Sequence, residues 1–123
     1  MSGTVQQMAS ERPVGIHVLV NVYDVPQQNV LEYLENGRPL LDHIVTNLRF
    51  NVVSQTGFQF PPIGYSYAYV LSESHFTIHT YPEYKSCYID MFCCNPAFDP
   101  AEAIFMIKRT FQSENVQYQV IRR

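Results

Sequence analysis

Apolar and polar residues alternate with period two over several stretches of the chain. Between Val14 and Asp24, Ile16, Val18, Val20 and Val22 oppose His17, Leu19, Asn21 and Tyr23. Such alternation predicts a strand. Leu19 and Tyr23 are not solvent residues, so both faces of that strand are expected to be covered. Pro26 ends it. From Gln27 to Arg49 the apolar spacing changes to three and four, through Val30, Leu31, Leu34, Leu40, Leu41, Ile44, Val45 and Leu48. That is a helical stripe. Gly37 and Pro39 interrupt it, which predicts a short helix, a break, and a longer helix with Pro39 in its first turn.

Phe50 to Ser54 reads as a short strand. Thr56 to Gly64 holds Gly57, Pro61, Pro62 and Gly64 and reads as a loop. Three more strands follow in quick succession: Tyr65 to Ser72, His75 to Tyr81 and Ser86 to Cys94. In the first, Tyr67, Tyr69 and Leu71 share one face, and Ser66, Ala68, Val70 and Ser72 the other. Pro82 to Lys85 and Asn95 to Asp99 are turns. Asp99 and Pro100 have the chemistry of a helix cap and first position. That helix should run to about Ser113 on Ile104, Ile107, Lys108 and Phe111, and Val116 to Ile121 closes as a strand. Short turns between consecutive strands favour antiparallel neighbours. The expected fold is α+β: a two-layer sandwich with a mainly antiparallel sheet and two helices packed on one face.

A chain of 123 residues suffices for one domain with a core. Residues 14–123 are expected to form it, and residues 1–13, polar and without the pattern of a secretory signal, a flexible N-terminal tail. The net charge of -3 argues against nucleic acid as a partner. No apolar run is long enough to span a bilayer. Cys87, Cys93 and Cys94 are an odd, crowded set that suits no disulfide framework and fits a reducing, cytoplasmic address.

The stretch from Leu71 to Glu83 concentrates reactive groups: Glu73, Ser74, His75, His79 and Glu83. A serine between Glu73 and His75 is ordinarily just a strand-end residue. Here Ser66 lies eight residues before Ser74 and His79 five after, and strand-borne polar groups need partners when buried. His75 and His79 share a strand face with Thr77. Four residues of strand separate the two histidines by roughly 13 Å, whereas one zinc needs each nitrogen at about 2 Å. That pair cannot clasp one metal, and no metal site is expected. Cys93 and Cys94 point to opposite faces. Cys94 shares its face with Tyr88 and Asp90, and a thiol, mostly protonated at neutral pH, serves there better as proton donor than as nucleophile. Cys87 and Cys93 read as small buried hydrophobes. Phe58, Phe60, Tyr65, Tyr67, Tyr69 and Tyr81 surround the stretch, and one or two could stack on a flat ligand ring.

Glu73-Ser74-His75, Ile78-His79-Thr80-Tyr81-Pro82-Glu83 and Asp90-Met91-Phe92-Cys93-Cys94 together resemble the signature of the bacterial and archaeal type of S-adenosylmethionine decarboxylase. Phe60 to Ser66 resembles the segment that precedes it, and Gly15 to Tyr23 the family's opening strand. The resemblance runs from about Gly15 to the C-terminus. It implies that Ser74 attacks the carbonyl of Glu73 and turns the amide into an ester. Ser66 and His79 match the assisting residues, His79 as the base that removes the alpha proton for elimination. The chain would part between 73 and 74, leaving a pyruvoyl group derived from Ser74, whose ketone condenses with the substrate amine and acts as an electron sink. Cys94 matches the acid that protonates the product carbon. Phe60 matches an adenine-stacking aromatic and Glu83 a ribose-binding carboxylate; Tyr81 stands beside them in the substrate pocket. The implied product feeds spermidine synthesis, and the implied assembly is a homodimer of cleaved protomers with sites at the interface.

Three positions depart from the family pattern. Tyr81 stands where tryptophan is usual, Asn95 where glycine follows the cysteine, and Asn21 at a usually acidic place in the first strand. Loss of that charge bears on binding of a sulfonium. A pyruvoyl-dependent arginine or ornithine decarboxylase on the same scaffold is therefore the alternative, and an uncleaved regulatory subunit a further one.

Overall fold

The computed structural model describes residues 2–7 and 14–123. Among these residues, seven strands and three α-helices follow one another as β1 (Ser2–Gln7), β2 (Ile16–Val22), α1 (Asn29–Glu32), α2 (Leu34–Asn47), β3 (Val52–Gln59), β4 (Tyr65–Leu71), β5 (Ser74–Tyr81), β6 (Ser86–Cys93), α3 (Pro100–Phe111) and β7 (Val116–Arg122). A 3-10 turn at Pro82–Tyr84 joins β5 to β6. The strands form one sheet in the order β1-β7-β2-β6-β5-β4-β3. Every neighbouring pair is antiparallel except β1 with β7. This is the α+β, mainly antiparallel architecture that the alternation implies.

The inward face follows from period two. Val18, Val20 and Val22 on β2, Tyr65, Tyr67, Tyr69 and Leu71 on β4, Phe76 and Ile78 on β5, and Cys87, Ile89, Met91 and Cys93 on β6 are buried. Leu41, Ile44 and Val45 of α2 and Ala103, Ile104, Ile107 and Phe111 of α3 complete that core from the helix layer. Each large apolar side chain moved out of water there stabilises the fold by about 1.5–3 kcal/mol at most. Asp99 caps α3, its carboxylate accepting from the Ala101 amide at 3.0 Å, and Pro100 occupies the first turn.

Three local expectations are corrected. The helix break falls at Tyr33, in extended conformation, and Pro39 lies inside α2 beyond its first turn. Gly37 does not break the helix. It makes room for Tyr65, whose hydroxyl a Cβ at that position would meet at 1.8 Å and which donates to the Val30 carbonyl at 2.6 Å. β3 runs on through Gly57 to Gln59, so the loop shrinks to residues 60–64. Gly57 sits beneath the Tyr67 ring, 2.2 Å from where a Cβ would stand; glycine within a strand often marks such close packing. Thirdly, Ser2–Gln7, read as part of a tail, pairs along β7 from Ser2↔Gln117 to Gln7↔Arg122. The unpaired edge of β7 supplies the backbone partners that the segment's polar composition does not announce. Residues 8–13 lie outside the described residues.

The helices cover one face only. His17, Leu19 and Asn21 of β2, Asp90 and Phe92 of β6, His75, Thr77 and His79 of β5, and Ser66 and Ala68 of β4 have the opposite parity, and all are half-buried or exposed. Val70 and Tyr88 on this face are also exposed, at 49% and 37%. Among the described residues no helix is long and apolar enough to cross a membrane.

Candidate active site

β4 and β5 form a hairpin whose two-residue turn is Ser72-Glu73, with Leu71 opposite Ser74. Glu73 adopts φ +60°, a left-handed conformation that costs a residue with a side chain about 1–2 kcal/mol. The surroundings over-determine this strained turn. Asn51 donates to the Ser72 hydroxyl at 2.7 Å, and its carbonyl accepts the Ser72 amide at 3.1 Å. Across the turn, the Cys94 amide donates to Ser74 Oγ at 3.2 Å and the Cys94 thiol to the Glu73 carbonyl at 3.1 Å. Cys94 thus grips both sides of the Glu73–Ser74 peptide. A cleft of about 360 Å³, lined by Asn51, Ser72, Glu73, Ser74, Cys94 and Asn95, opens onto it.

The chemistry this turn permits follows from connectivity. A serine hydroxyl lies one short ring away from the carbonyl carbon before it, and attack there moves the acyl group from nitrogen to oxygen. Charge then develops on the Glu73 oxygen, where a thiol donor already sits. The residues present therefore fit a serine that becomes an acyl acceptor and, after elimination, a pyruvoyl group.

At the other end of β5 a second constellation gathers. Ser66 stands opposite His79 in the β4–β5 register, and its Oγ lies 2.7 Å from His79 Nδ1. A cleft of about 330 Å³ next to the pair is lined by Thr56, Gly57, Phe58, Ser66, Tyr67, Ala68, Thr77 and His79. Phe60 is exposed and packs edge-on against Phe58, ring centroids 5.0 Å apart. Tyr81 ends β5 with its ring 5.3 Å from Tyr88, and Glu83 lies in the turn just beyond.

The sequence-predicted residues thus separate into two groups. Glu73, Ser74 and Cys94 meet at one end of the hairpin. Ser66, His79, Phe60, Tyr81 and Glu83 belong to the other. Ser74 and His79 are five strand residues apart, roughly 16 Å at about 3.3 Å each. Ser74 has the parity of buried Phe76 and Ile78, whereas His79 is on the open face. One chain does not bring His79 to Ser74.

Sequence reasoning missed one cluster. His17 Nε2 and His75 Nε2 both address the same Asp90 oxygen, His17 in a short contact and His75 at 3.3 Å. His17 is 73 residues from Asp90, and only strand order reveals the meeting. Elsewhere, burial pushes the Cys87 thiol and the Tyr65 hydroxyl well above their usual ranges. Burial and the hydrogen bond to Asp42 do the same for Tyr69.

A family model described as S-adenosylmethionine decarboxylase matches residues 16–123. A protein of Thermosipho africanus named S-adenosylmethionine decarboxylase proenzyme is 30% identical over 105 residues, which cover 85% of this chain and 80% of that one. One of the same name from Clostridium botulinum is 31% identical over 109 residues, 89% of this chain and 93% of that one. The crystal structure of the adenosylmethionine decarboxylase of Aquifex aeolicus superposes with a TM-score of 0.77 at 27% identity, covering 89% of each chain. The Trypanosoma brucei AdoMetDC-delta26 monomer shares the fold, with a TM-score of 0.60 at 17% identity over 85% of this chain and 44% of that one.

Proposed function

The chain belongs to the S-adenosylmethionine decarboxylase family, and from that premise we propose that it is a carboxy-lyase that cuts itself between Glu73 and Ser74 and removes carbon dioxide from S-adenosylmethionine, supplying aminopropyl groups for spermidine. The observation that carries this is the strained turn: Glu73 at φ +60° with the Cys94 thiol on its carbonyl. A pyruvoyl group formed from Ser74 supplies a ketone that binds the substrate amine and withdraws electrons from the breaking carboxyl bond.

The protein's own residues then have these parts. Ser74 Oγ attacks the Glu73 carbonyl, and Cys94 Sγ donates to the oxygen that gains charge. His79, bonded through Nδ1 to Ser66, takes the alpha proton of residue 74 as the ester eliminates; the Glu73 carboxylate leaves, and the dehydroalanine that remains takes up water and loses ammonia to become the ketone. Cys94, freed from the Glu73 carbonyl by the cut, donates a proton to the product carbon. Phe60 and Tyr81 offer aromatic faces to the adenine and the sulfonium. Glu83 accepts from the ribose hydroxyls.

Since Ser74 and His79 stand far apart in one chain, the working unit we propose is a homodimer of cleaved protomers, each site joining Glu73, Ser74 and Cys94 of one copy to Ser66, His79, Phe60, Tyr81 and Glu83 of the other. The open sheet face, with Val70 and Tyr88 exposed, is the natural surface for that pairing. Residues 14–123 are taken as one domain that stays folded after the cut. The free cysteines, two of them buried, favour a cytoplasmic address. The relatives' names do not favour an arginine or ornithine decarboxylase or an uncleaved subunit.

The test is carbon dioxide release from S-adenosylmethionine, ornithine and arginine side by side, with mass spectrometry of the fragment that begins at residue 74. Release from S-adenosylmethionine and a blocked alpha-keto acyl end are expected. Release from an amino acid alone would redirect the substrate reading. A free amine at residue 74 in active protein would overturn the pyruvoyl reading.

A further inference from the structure

On the open sheet face, away from the Ser66–His79 pair, two imidazoles and a carboxylate converge from three adjacent strands. β6 runs between β2 and β5. His17 and His75 stand level with Phe92 on either side of it. Asp90, two residues earlier on β6, places its carboxylate between them. The three ligand atoms, one from each residue, lie within 4.8 Å of one another. The His17 and His75 rings stand perpendicular, centroids 5.9 Å apart, so they approach the shared oxygen from different directions.

The three groups offer metal ligands as well as ion pairs. A single carboxylate oxygen is addressed by two ring nitrogens, and each can serve as a ligand once its proton leaves. Four-coordinate zinc holds nitrogen and oxygen ligands at about 2.0–2.2 Å, which sets them roughly 3.3–3.5 Å apart. His75 Nε2 and Asp90 Oδ1 are already 3.3 Å apart. Binding would require the short His17–Asp90 contact to open by side-chain rotation. Two nitrogens and one oxygen suit a borderline first-row ion, not the all-oxygen preference of magnesium or calcium.

We propose that His17 Nε2, His75 Nε2 and Asp90 Oδ1 bind a first-row divalent transition ion of the zinc class, with the remaining position directed away from the sheet. The ligands come from both sides of the Glu73–Ser74 bond: His17 precedes it, His75 and Asp90 follow it. In a processed protein the ion would tie the two fragments together and anchor the residue next to the new chain start. That consequence rests on the cleavage reading; ion binding itself does not.

The test uses the untagged full chain, stripped with chelator and titrated with Co2+ in both wild-type and Ser74→Ala forms. The second keeps all three ligands in one chain whether or not processing occurs. One equivalent per chain, with visible d–d absorption that Zn2+ abolishes, is expected in both. His17→Ala and Asp90→Asn should each weaken binding by about 100-fold or more, while His43→Ala, on the exposed face of α2, leaves it unchanged. Asp90→Asn keeps the side-chain shape, so it serves even where His17→Ala fails to fold. Absence of stoichiometric Co2+ binding, or equal affinity in folded Asp90→Asn protein, would overturn the site. Binding without cleavage in the wild type would leave the site standing and remove only the cleavage reading.

Discussion

Co-expression of two inactive variants decides whether one working site draws on two chains. Ser74→Ala removes the hydroxyl that attacks, and His79→Ala removes the imidazole bonded to Ser66. A base has to come within about 3 Å of the atom whose proton it takes. Five residues of strand place the two positions roughly 16 Å apart, and no side chain spans that gap within β5. In the proposed two-fold dimer, a partner's His79 would reach Ser74. A mixed dimer then holds one site lacking both groups and one with both intact. Random pairing of equal amounts in a two-fold dimer sets about half of the His79→Ala chains opposite a Ser74→Ala chain. On a denaturing gel each variant alone should stay full length. Together, about half of the His79→Ala chains should appear as fragments of roughly 8 and 6 kDa, with carbon dioxide release near a quarter of wild type, since about one site in four is then complete. Differently tagged variants show by pull-down that mixed dimers form. Mixed dimers with no fragments would refute the shared site, and normal cleavage by His79→Ala alone would refute the role of His79.

Glu73→Gly relieves a left-handed conformation worth about 1–2 kcal/mol, offset by about 0.5–1 kcal/mol of extra chain freedom. In the uncleavable Ser74→Ala background, denaturant unfolding should show a gain of up to about 1.5 kcal/mol, and with Ser74 present self-cleavage should slow; an unchanged cleavage rate would remove strain from the account. Gly37→Ala drives a methyl into the Tyr65 hydroxyl and should lower stability by about 2 kcal/mol despite the better helix propensity of alanine, whereas an unchanged melting temperature would contradict the packing described. Cys87 holds its proton in the fold above its ordinary value of 9.0, so the unfolded chain releases that proton first. Its contribution is complete below about pH 9 and is lost above it, at about 1.4 kcal/mol per pH unit. Tyr65 adds the same trend above its ordinary 10.0, and urea unfolding between pH 8 and 11 measures the slope, which Cys87→Ala should reduce.

Alternation made the strands legible. Tyr67, Tyr69 and Leu71 lie inward and Ser66, Ala68 and Val70 outward, as period two requires. Glycine misled twice for one physical reason. Gly37 and Gly57 look like breakers, yet each admits a tyrosine ring that no Cβ would allow. Which glycine serves packing and which serves a turn depends on a partner far along the chain, Tyr65 in one case and Tyr67 in the other. The strand at Ser2–Gln7 was illegible because its partner is an edge of β7, not an internal pattern. The reactive residues were legible as types. Their grouping was not, because closeness in sequence along an extended strand means distance in space. Ser74 and Cys94, 20 residues apart, touch, while Ser74 and His79 do not.

The uncovered sheet face joins assembly to chemistry. The helix layer buries one side of the sheet and leaves the other with Ser66, His79, His75 and Asp90 among exposed Val70 and Tyr88. A mixed face with Val70 and Tyr88 exposed on it can take a partner, and in the proposed dimer that partner brings the base each strained turn lacks. Attack by Ser74 needs only groups of its own chain: the turn, Asn51 and Cys94. In the proposed dimer, elimination draws on the partner's His79. A lone chain could therefore reach the ester and return, because acyl transfer between nitrogen and oxygen is reversible, whereas the irreversible cut waits for pairing. In the proposed dimer, the contact that covers this face would thus commit the chain to processing.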